Sequence, residues 1–171
     1  MNCKCLILFN DMKESSAPFF DTPSKEALKK LQHQLQRADK KTMLKKLPEL
    51  HEKAFEVVDC LDCARCCKNY SPRFKTPDIK RISKVLGMKE SVFIDTYLTL
   101  DNEGDYVSKS QPCPFLNLED NKCSIYEDRP SDCSRFPYLD EDVFFKRVQI
   151  TMKNASFCPA IHVAMKELDK I

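Results

Sequence analysis

Glycine is almost absent from this chain, at two of 171 residues, and the shortage excludes several function classes. Nucleotide-binding loops use closely spaced glycines to let the backbone approach the phosphates, so a nucleotide-binding function has no support here. Because ten prolines accompany so few glycines, helices joined by Pro-containing turns are favoured over a many-stranded barrel.

Long apolar runs are missing as well. No segment approaches the roughly 18 apolar residues that a membrane span requires. The apolar run near the N-terminus covers only residues 5–9, which is too short for a secretory signal. We therefore expect a protein of the reducing cytoplasm, with no membrane partner.

The chain as a whole also has no excess of charge of one sign. It carries 28 basic and 26 acidic residues, a net charge of +2, so it has no strong field to attract nucleic acid. One stretch is locally basic, with eight basic residues against two acidic ones: Lys25, Lys29, Lys30, Arg37, Lys40, Lys41, Lys45 and Lys46. A solvated helix face is the favoured interpretation, and an RNA or protein interaction module using this basic helix is an alternative.

The length allows one hydrophobic core of usual size with an appendage. We predict three parts: residues 1–22 as a flexible N-terminal segment, 23–58 as a helical extension and 59–171 as a cysteine-cluster domain. In the extension, Thr22 and Pro23 are typical of a helix start, and Pro48 is expected to break the helix. The predicted fold class is α+β: helix-rich, with a small metal-stapled, loop-rich core and one or two short hairpins.

Within the cysteine-cluster domain, apolar spacing predicts helices near 76–86 and 89–98 and a last helix over 159–168. Short apolar pieces at 115–118 and 123–126 flank a polar turn and predict a hairpin. Residues 143–152 are interpreted as a further strand.

Cysteine is the residue that this chain has in excess, with ten in all. Because Met12 is a second candidate start, we assign no role to Cys3 and Cys5. The remaining eight follow the pattern C-x2-C-x2-C-C-x45-C-x9-C-x9-C-x24-C and are the predicted metal ligands: Cys60, Cys63, Cys66, Cys67, Cys113, Cys123, Cys133 and Cys158. Since thiols stay reduced in the cytoplasm, metal ligation is favoured over disulfides.

The identity of the metal stays open at this point. Four thiolates make a closed zinc site, and eight could make two. The C-x2-C-x2-C run and the Cys113-Pro114 and Cys158-Pro159 pairs resemble ferredoxin ligand motifs, which favours an iron–sulfur cluster such as 4Fe–4S, although the fourth ferredoxin spacing is missing. Adjacent Cys66 and Cys67 cannot point the same way in most backbone conformations, so they could serve two centres.

Other cysteine chemistries have less support. A redox C-x2-C site needs a βαβ surround that the sequence does not supply. The three histidines, His33, His51 and His162, lie on predicted helices and are interpreted as surface or packing residues rather than bases or ligands.

Three arginines stand close to the predicted ligands: Arg65, Arg129 and Arg135. Guanidinium groups near thiolates would lower the thiol pKa values and donate hydrogen bonds to sulfur. The alternative is that they pair with Glu127, Asp128 or Asp132 at the surface.

Three segments in order, CLDCARCC at 60–67, QPCPFL at 111–116 and CSIYEDRPSDCSRFPY at 123–138, resemble the YkgJ-like cysteine-cluster family, the CxxCxxCC proteins, over about residues 59–160. The resemblance implies a zinc- or iron-chelating domain whose ligands are the eight cysteines. The family often has glycine where this chain has Ala64, and arginine where it has Ser134.

The resemblance implies metal binding rather than a reaction, and we lean towards a protein that is not an enzyme. The predicted function is chelation of zinc or iron by clustered thiolates, with a metal ion and a protein as candidate partners. One alternative is an iron–sulfur redox or accessory protein that serves another enzyme, for example in protein methylation. The other alternative is the interaction module already described.

Overall fold

The computed structural model describes residues 21–169, so most of the predicted segment 1–22, with Cys3 and Cys5, lies outside the described residues. The helices are α1 (Lys25–Arg37), α2 (Lys40–Val57), α3 (Cys60–Cys63), α4 (Arg65–Asn69), α5 (Thr76–Val85), α6 (Glu90–Tyr97), α7 (Ser131–Arg135), α8 (Val143–Lys146), α9 (Val148–Ala155) and α10 (Pro159–Leu168). Strands β1 (Leu98–Leu100) and β2 (Tyr106–Ser108) pair antiparallel, with Thr99 opposite Val107. A helix-rich chain with one small hairpin agrees with the predicted α+β class.

The predicted helical extension consists of two helices, and the break lies at Ala38 and Asp39 rather than at Pro48. The Asp39 side chain caps α2 by accepting a hydrogen bond from the Thr42 N–H at 2.8 Å. The expectation that Pro48 breaks the helix is wrong, because Pro48 lies inside α2. Buried Leu47 and Leu50 flank it, and their packing offsets the lost backbone hydrogen bond.

The first hydrophobic core joins the two ends of the described chain. Helix α1 packs on α9 and α2 packs on α10. Leu31 and Leu47 of the extension are buried in the same cluster as Phe144 and Ile161. The extension is therefore an integral wall of this core, and its basic residues lie on the outer, largely exposed face.

The second core is smaller and lies around α5, α6 and the hairpin. Its buried side chains include Phe74, Ile82, Phe93, Phe115 and Ile125. The predicted hairpin at 115–126 is reduced to one antiparallel bridge between Leu116 and Cys123.

Residues 143–152 are helical, so the strand predicted there is wrong. Burial falls on Phe144, Thr151 and Ala155, at spacings that place them on one side of successive helical turns. The Thr151 hydroxyl donates to the Phe144 carbonyl at 2.7 Å, which ties α9 to α8.

The predicted helices at 76–86, 89–98 and 159–168 are confirmed as α5, α6 and α10. Among the helices of residues 21–169, none has the length and apolar character needed to cross a membrane.

Candidate metal centre

The CLDCARCC segment folds as two short helices, α3 and α4, joined at Ala64. Asp59 begins α3 by accepting a hydrogen bond from the Leu61 N–H at 2.8 Å. Ala64 is 2% exposed and has a φ of +47°, in the left-handed region that L-residues rarely adopt. This turn separates Cys60 and Cys63 from Cys66 and Cys67, so the segment is not the single continuous helix that would place Cys60, Cys63 and Cys67 together.

Cys66 and Cys67 lie side by side at the start of the second short helix, with their Sγ atoms 3.9 Å apart. The Cys67 carbonyl accepts a hydrogen bond from the Cys113 N–H at 2.8 Å. This bond joins the first cysteine segment directly to the second across 46 positions of sequence.

Cys123 reaches the same region through the turn that follows Cys113. The Ser124 N–H donates to the Phe115 carbonyl at 2.8 Å, and Cys123 forms the bridge with Leu116. Two neighbouring pieces of chain thus carry Cys113 and Cys123 to one wall.

Cys133 lies in α7, which two buried carboxylates hold in place. Asp78 is 2% exposed and accepts hydrogen bonds from the N–H and the hydroxyl of Ser131, both at 3.1 Å. Asp132 is 1% exposed; Arg73 Nε lies 3.0 Å from its Oδ2 and Lys75 Nζ lies 3.2 Å from its Oδ1. Ser131 and Asp132, the residues immediately before Cys133, are therefore bound to the second core by hydrogen bonds and ion pairs.

Cys158 is buried and immediately precedes α10. It lines a small recess with Cys60, Cys63 and Cys66. The C-terminal cysteine therefore meets the CLDCARCC segment on the side of the first core.

The other face of the thiol region lines a larger, partly open cavity of about 430 Å³ between the two cores. Six cysteines lie in its wall: Cys60, Cys66, Cys67, Cys113, Cys123 and Cys133. Cys60 and Cys66 thus contact both the cavity and the recess. All eight predicted ligands are free thiols gathered around one seam of the structure.

The thiols differ strongly in acidity. A hydrogen bond from Cys66 is the main reason that the pKa of Cys67 falls to about 7, whereas the same contact and burial raise the pKa of Cys66 well above its usual value. Burial raises the pKa of Cys60 and of Cys113 to about 11 and that of Cys158 to about 12. Most of these thiols hold their protons at neutral pH until a cation displaces them.

Mutual electrostatic effects show which thiols are neighbours. After burial, the charge of Cys67 is the largest influence raising the pKa of Cys133, and Cys67 also raises the pKa values of Cys113 and Cys123. The pKa of Cys158 is raised instead by Cys60 and Cys63, after burial.

The three arginines that stand close to the predicted ligands in the sequence have different environments in the structure. The charge of Arg129 lowers the pKa values of Cys60 and Cys123, against the larger effect of burial, as expected for a guanidinium beside thiols. Arg135 pairs with Glu141, where its Nε donates to Oε1 at 2.7 Å, rather than with the expected Glu127, Asp128 or Asp132. The charge of Arg65 lowers the pKa of His162, in the same direction as the larger effect of burial.

The donor chemistry fits zinc or iron, because the eight thiols far outnumber the one carboxylate, Asp59, and the one imidazole, His51, that line the larger cavity. In residues 21–169, no three Cys, His, Asp or Glu side chains meet at metal-binding distances. Binding would therefore require the sulfurs, which already lie in one region, to move closer together.

The predicted role as a surface or packing residue fits His162, which is buried with Nε2 2.6 Å from the Ala155 carbonyl, and His33, which is exposed. His51 instead reaches the cavity wall, beside Phe55. The sequence patterns also gave no indication that Asp78 contacts Ser131 or that α2 contributes to the wall of the cavity. An acidic residue in the first turn of a helix, as at Asp78, was the available signal, but it does not reveal a partner so distant in sequence.

The comparison with known families matches residues 59–159 to the CxxCxxCC model, described as "Putative zinc- or iron-chelating domain". No solved structure matches the chain. The matched range contains all eight clustered cysteines and begins after α1 and α2.

Proposed function

The chain belongs to the CxxCxxCC family, and from this we propose that it binds zinc or iron through the thiolates of its eight clustered cysteines. One observation carries the proposal: cysteines from four separate stretches of sequence gather at a single seam between the two cores. A reducing cytoplasm is the compartment that suits this function, because it keeps the thiols free.

We further propose that the eight thiols act as two groups of four. One group is Cys67, Cys113, Cys123 and Cys133, which line the large cavity and influence one another's pKa values. The other is Cys60, Cys63, Cys66 and Cys158, which line the recess. The adjacent Cys66 and Cys67 would then belong to different groups, as the α4 backbone allows.

The neighbouring residues support thiolate formation. Arg129 supplies a positive charge close to Cys60 and Cys123, and the Cys66 thiol stabilises the Cys67 thiolate. Zinc would supply structural crosslinking, and an iron–sulfur cluster would supply electron transfer in addition.

Elemental analysis of protein purified without oxygen, with an absorption spectrum, tests the proposal. We expect about two zinc or iron ions per chain, or one cluster with its iron and acid-labile sulfide. A brown protein with visible absorption would favour the iron–sulfur accessory function, and a colourless zinc-loaded protein would exclude it. Protein that takes up less than about a tenth of an ion per chain, even after reconstitution with either metal, would contradict metal binding.

A further inference from the structure

The cavity beside the thiols is lined by aromatic rings as well as by cysteines. We propose that it binds a small, uncharged aromatic molecule of one or two fused rings. The inference rests on the proposed function in one respect only, because it places the molecule directly against the metal-binding thiols.

The volume of the cavity exceeds what metal ions need. At about 430 Å³ it lies in the range of small-molecule pockets, roughly 300–1,000 Å³. An apolar cavity of about 150 Å³ already accepts benzene. An ion bound by thiolates occupies only the space between its sulfurs, so much of a cavity of this volume would stay available.

Apart from the cysteines, most of the lining residues carry rings or aliphatic groups, and the polar ones are His51, Asp59, Asn121, Arg129 and Ser134. Five aromatic rings that line the cavity are those of Phe55, Phe74, Phe115, Tyr126 and Phe136. Flat aromatic faces favour planar ring ligands through stacked or edge-to-face contacts. Water gains few hydrogen bonds in such a space, so its displacement by an apolar molecule is favourable.

Contacts within each core hold these rings in place before any ligand arrives. Phe115 stacks on Phe93 at a centroid distance of 6.2 Å and meets Tyr97 at 5.0 Å. On the opposite side, Phe136 stacks on Phe157 at 5.9 Å. A preformed cavity loses little conformational entropy when it binds a ligand.

The charges of the wall indicate an uncharged ligand. Asp59 already accepts a hydrogen bond from Leu61. Arg129 lies 3.9 Å above the Tyr126 ring and donates to the Tyr126 carbonyl at 2.6 Å. A ligand anion would be repelled by the thiolates of a metal-loaded site, and a ligand cation would meet Arg129.

Helix α2 completes the cavity from outside the residues that match the family. It contributes His51 and Phe55, and Val58 follows directly after it. Specificity for a ring ligand would therefore depend partly on α2, which lies outside the residues that match the family.

Two probes with the same ring system test the proposal: 2-naphthol, which is uncharged at neutral pH, and 2-naphthoate, which is an anion. Metal-loaded protein is titrated with each and followed by ligand-observed NMR and intrinsic probe fluorescence. We expect saturable, single-site binding of 2-naphthol and at least tenfold weaker binding of 2-naphthoate. Binding of neither probe, or equal binding of both, would overturn the proposal.

Two variants of α2 supply the matched comparison. Phe55→Trp adds volume inside the cavity, and we expect it to weaken 2-naphthol binding at least tenfold. Val57→Trp makes a similar addition at a site that is 52% exposed, and binding should be unchanged. Should Phe55→Trp fail to fold, Tyr126→Ala removes one ring of the wall and should weaken binding several-fold. Equal effects of the two tryptophan variants, or no effect of either cavity variant, would refute the assignment.

Failure of this proposal can be separated from failure of metal binding. If metal-loaded protein does not bind 2-naphthol, the aromatic site alone is refuted. Protein that binds 2-naphthol but never takes up metal refutes the proposed function and leaves the aromatic site standing. If metal loading expels 2-naphthol, the cavity is metal-binding space and the aromatic site is excluded.

Discussion

Asp78 on α5 accepts two hydrogen bonds from Ser131, one from its N–H and one from its hydroxyl, across 53 positions of sequence. The same carboxylate pairs with Arg81, whose guanidinium also donates to the Arg129 carbonyl at 2.9 Å. Burial alone would raise the pKa of Asp78, but Arg81 and the N–H donors hold it below its usual value. One buried carboxylate thus sets where the segment leading to Cys133 meets the second core.

Asp78→Asn should therefore be strongly destabilising. A hydrogen bond to a charged group contributes about 1.5–3 kcal/mol, and the uncharged amide would weaken the bonds to Ser131 while Arg81, which is 40% exposed, could be solvated. Urea unfolding of the metal-loaded protein measures the change, and metal affinity should fall with it. Glu56→Gln, at an exposed site on α2, is the control and should change the free energy of unfolding by less than about 0.5 kcal/mol. Equal effects of the two substitutions would show that Asp78 does not hold the segment.

Metal removal should partly unfold the protein. A structural thiolate site contributes on the order of 10 kcal/mol to folding, and burial keeps most of these thiols protonated without a cation. We expect chelator-treated, reduced protein to lose much of its near-UV circular dichroism and its cooperative thermal transition. Readdition of the metal should restore both signals, and full retention of both by metal-free protein would contradict a structural role.

Single cysteine variants should reveal the division of the thiols. Cys133→Ser removes a member of the cavity group, and Cys158→Ser a member of the recess group. Each variant should lose about half of the bound metal, measured per chain after dialysis, and the double variant should lose nearly all of it. If Cys133→Ser and Cys158→Ser each abolish all binding, the eight thiols form one indivisible centre instead.

Ala64 should tolerate glycine but not a branched residue. At a φ of +47°, an L-residue in the left-handed region costs about 1–2 kcal/mol, and glycine does not pay it. Since glycine also increases the entropy of the unfolded chain, Ala64→Gly should fall within about 1 kcal/mol of the parent. Ala64→Val should be destabilised by more than about 2 kcal/mol and bind metal more weakly. Similar unfolding midpoints for the two variants would exclude a left-handed turn at this site.

His162 should make stability depend on pH. Burial holds its pKa below the usual 6.5, so the folded protein binds fewer protons than the unfolded chain just below that pH. The stability associated with the neutral ring is complete above pH 6.5 and is lost as the pH falls towards the lower, folded pKa. Relative to His162→Gln, the parent should therefore lose free energy of unfolding between pH 7.5 and 5.5. A difference that is constant over this range would show that His162 has the same pKa in both states.

The sequence was informative where the signal is local. The spacing of the thiols in CLDCARCC and the apolar period of residues 159–168 led to the cysteine site and to α10. Residues 143–152 are helical although their sequence predicts a strand. Short stretches of β-branched and aromatic residues suit a strand and a buried helix equally well. Pro48 stays inside α2 because the packing of α2 against α10 outweighs the tendency of proline to break a helix.

Partners distant in sequence were beyond such reasoning. The residues near Asp78 do not predict its contact with Ser131. The sequence of α2 does not predict that Phe55 lines the same cavity as the thiols. Both contacts follow from how the two cores meet, which no single-segment pattern encodes.

The shared packing of α1 and α2 with α9 and α10 sets an order of events during synthesis. Translation releases α2 long before α10. Leu47 and Leu50 therefore have no α10 side chains to pack against while the thiol segment leaves the ribosome. The CLDCARCC thiols are therefore accessible to metal donors, and to oxidants, throughout that interval. Supply of metal to the nascent chain should consequently determine the yield of correctly assembled protein.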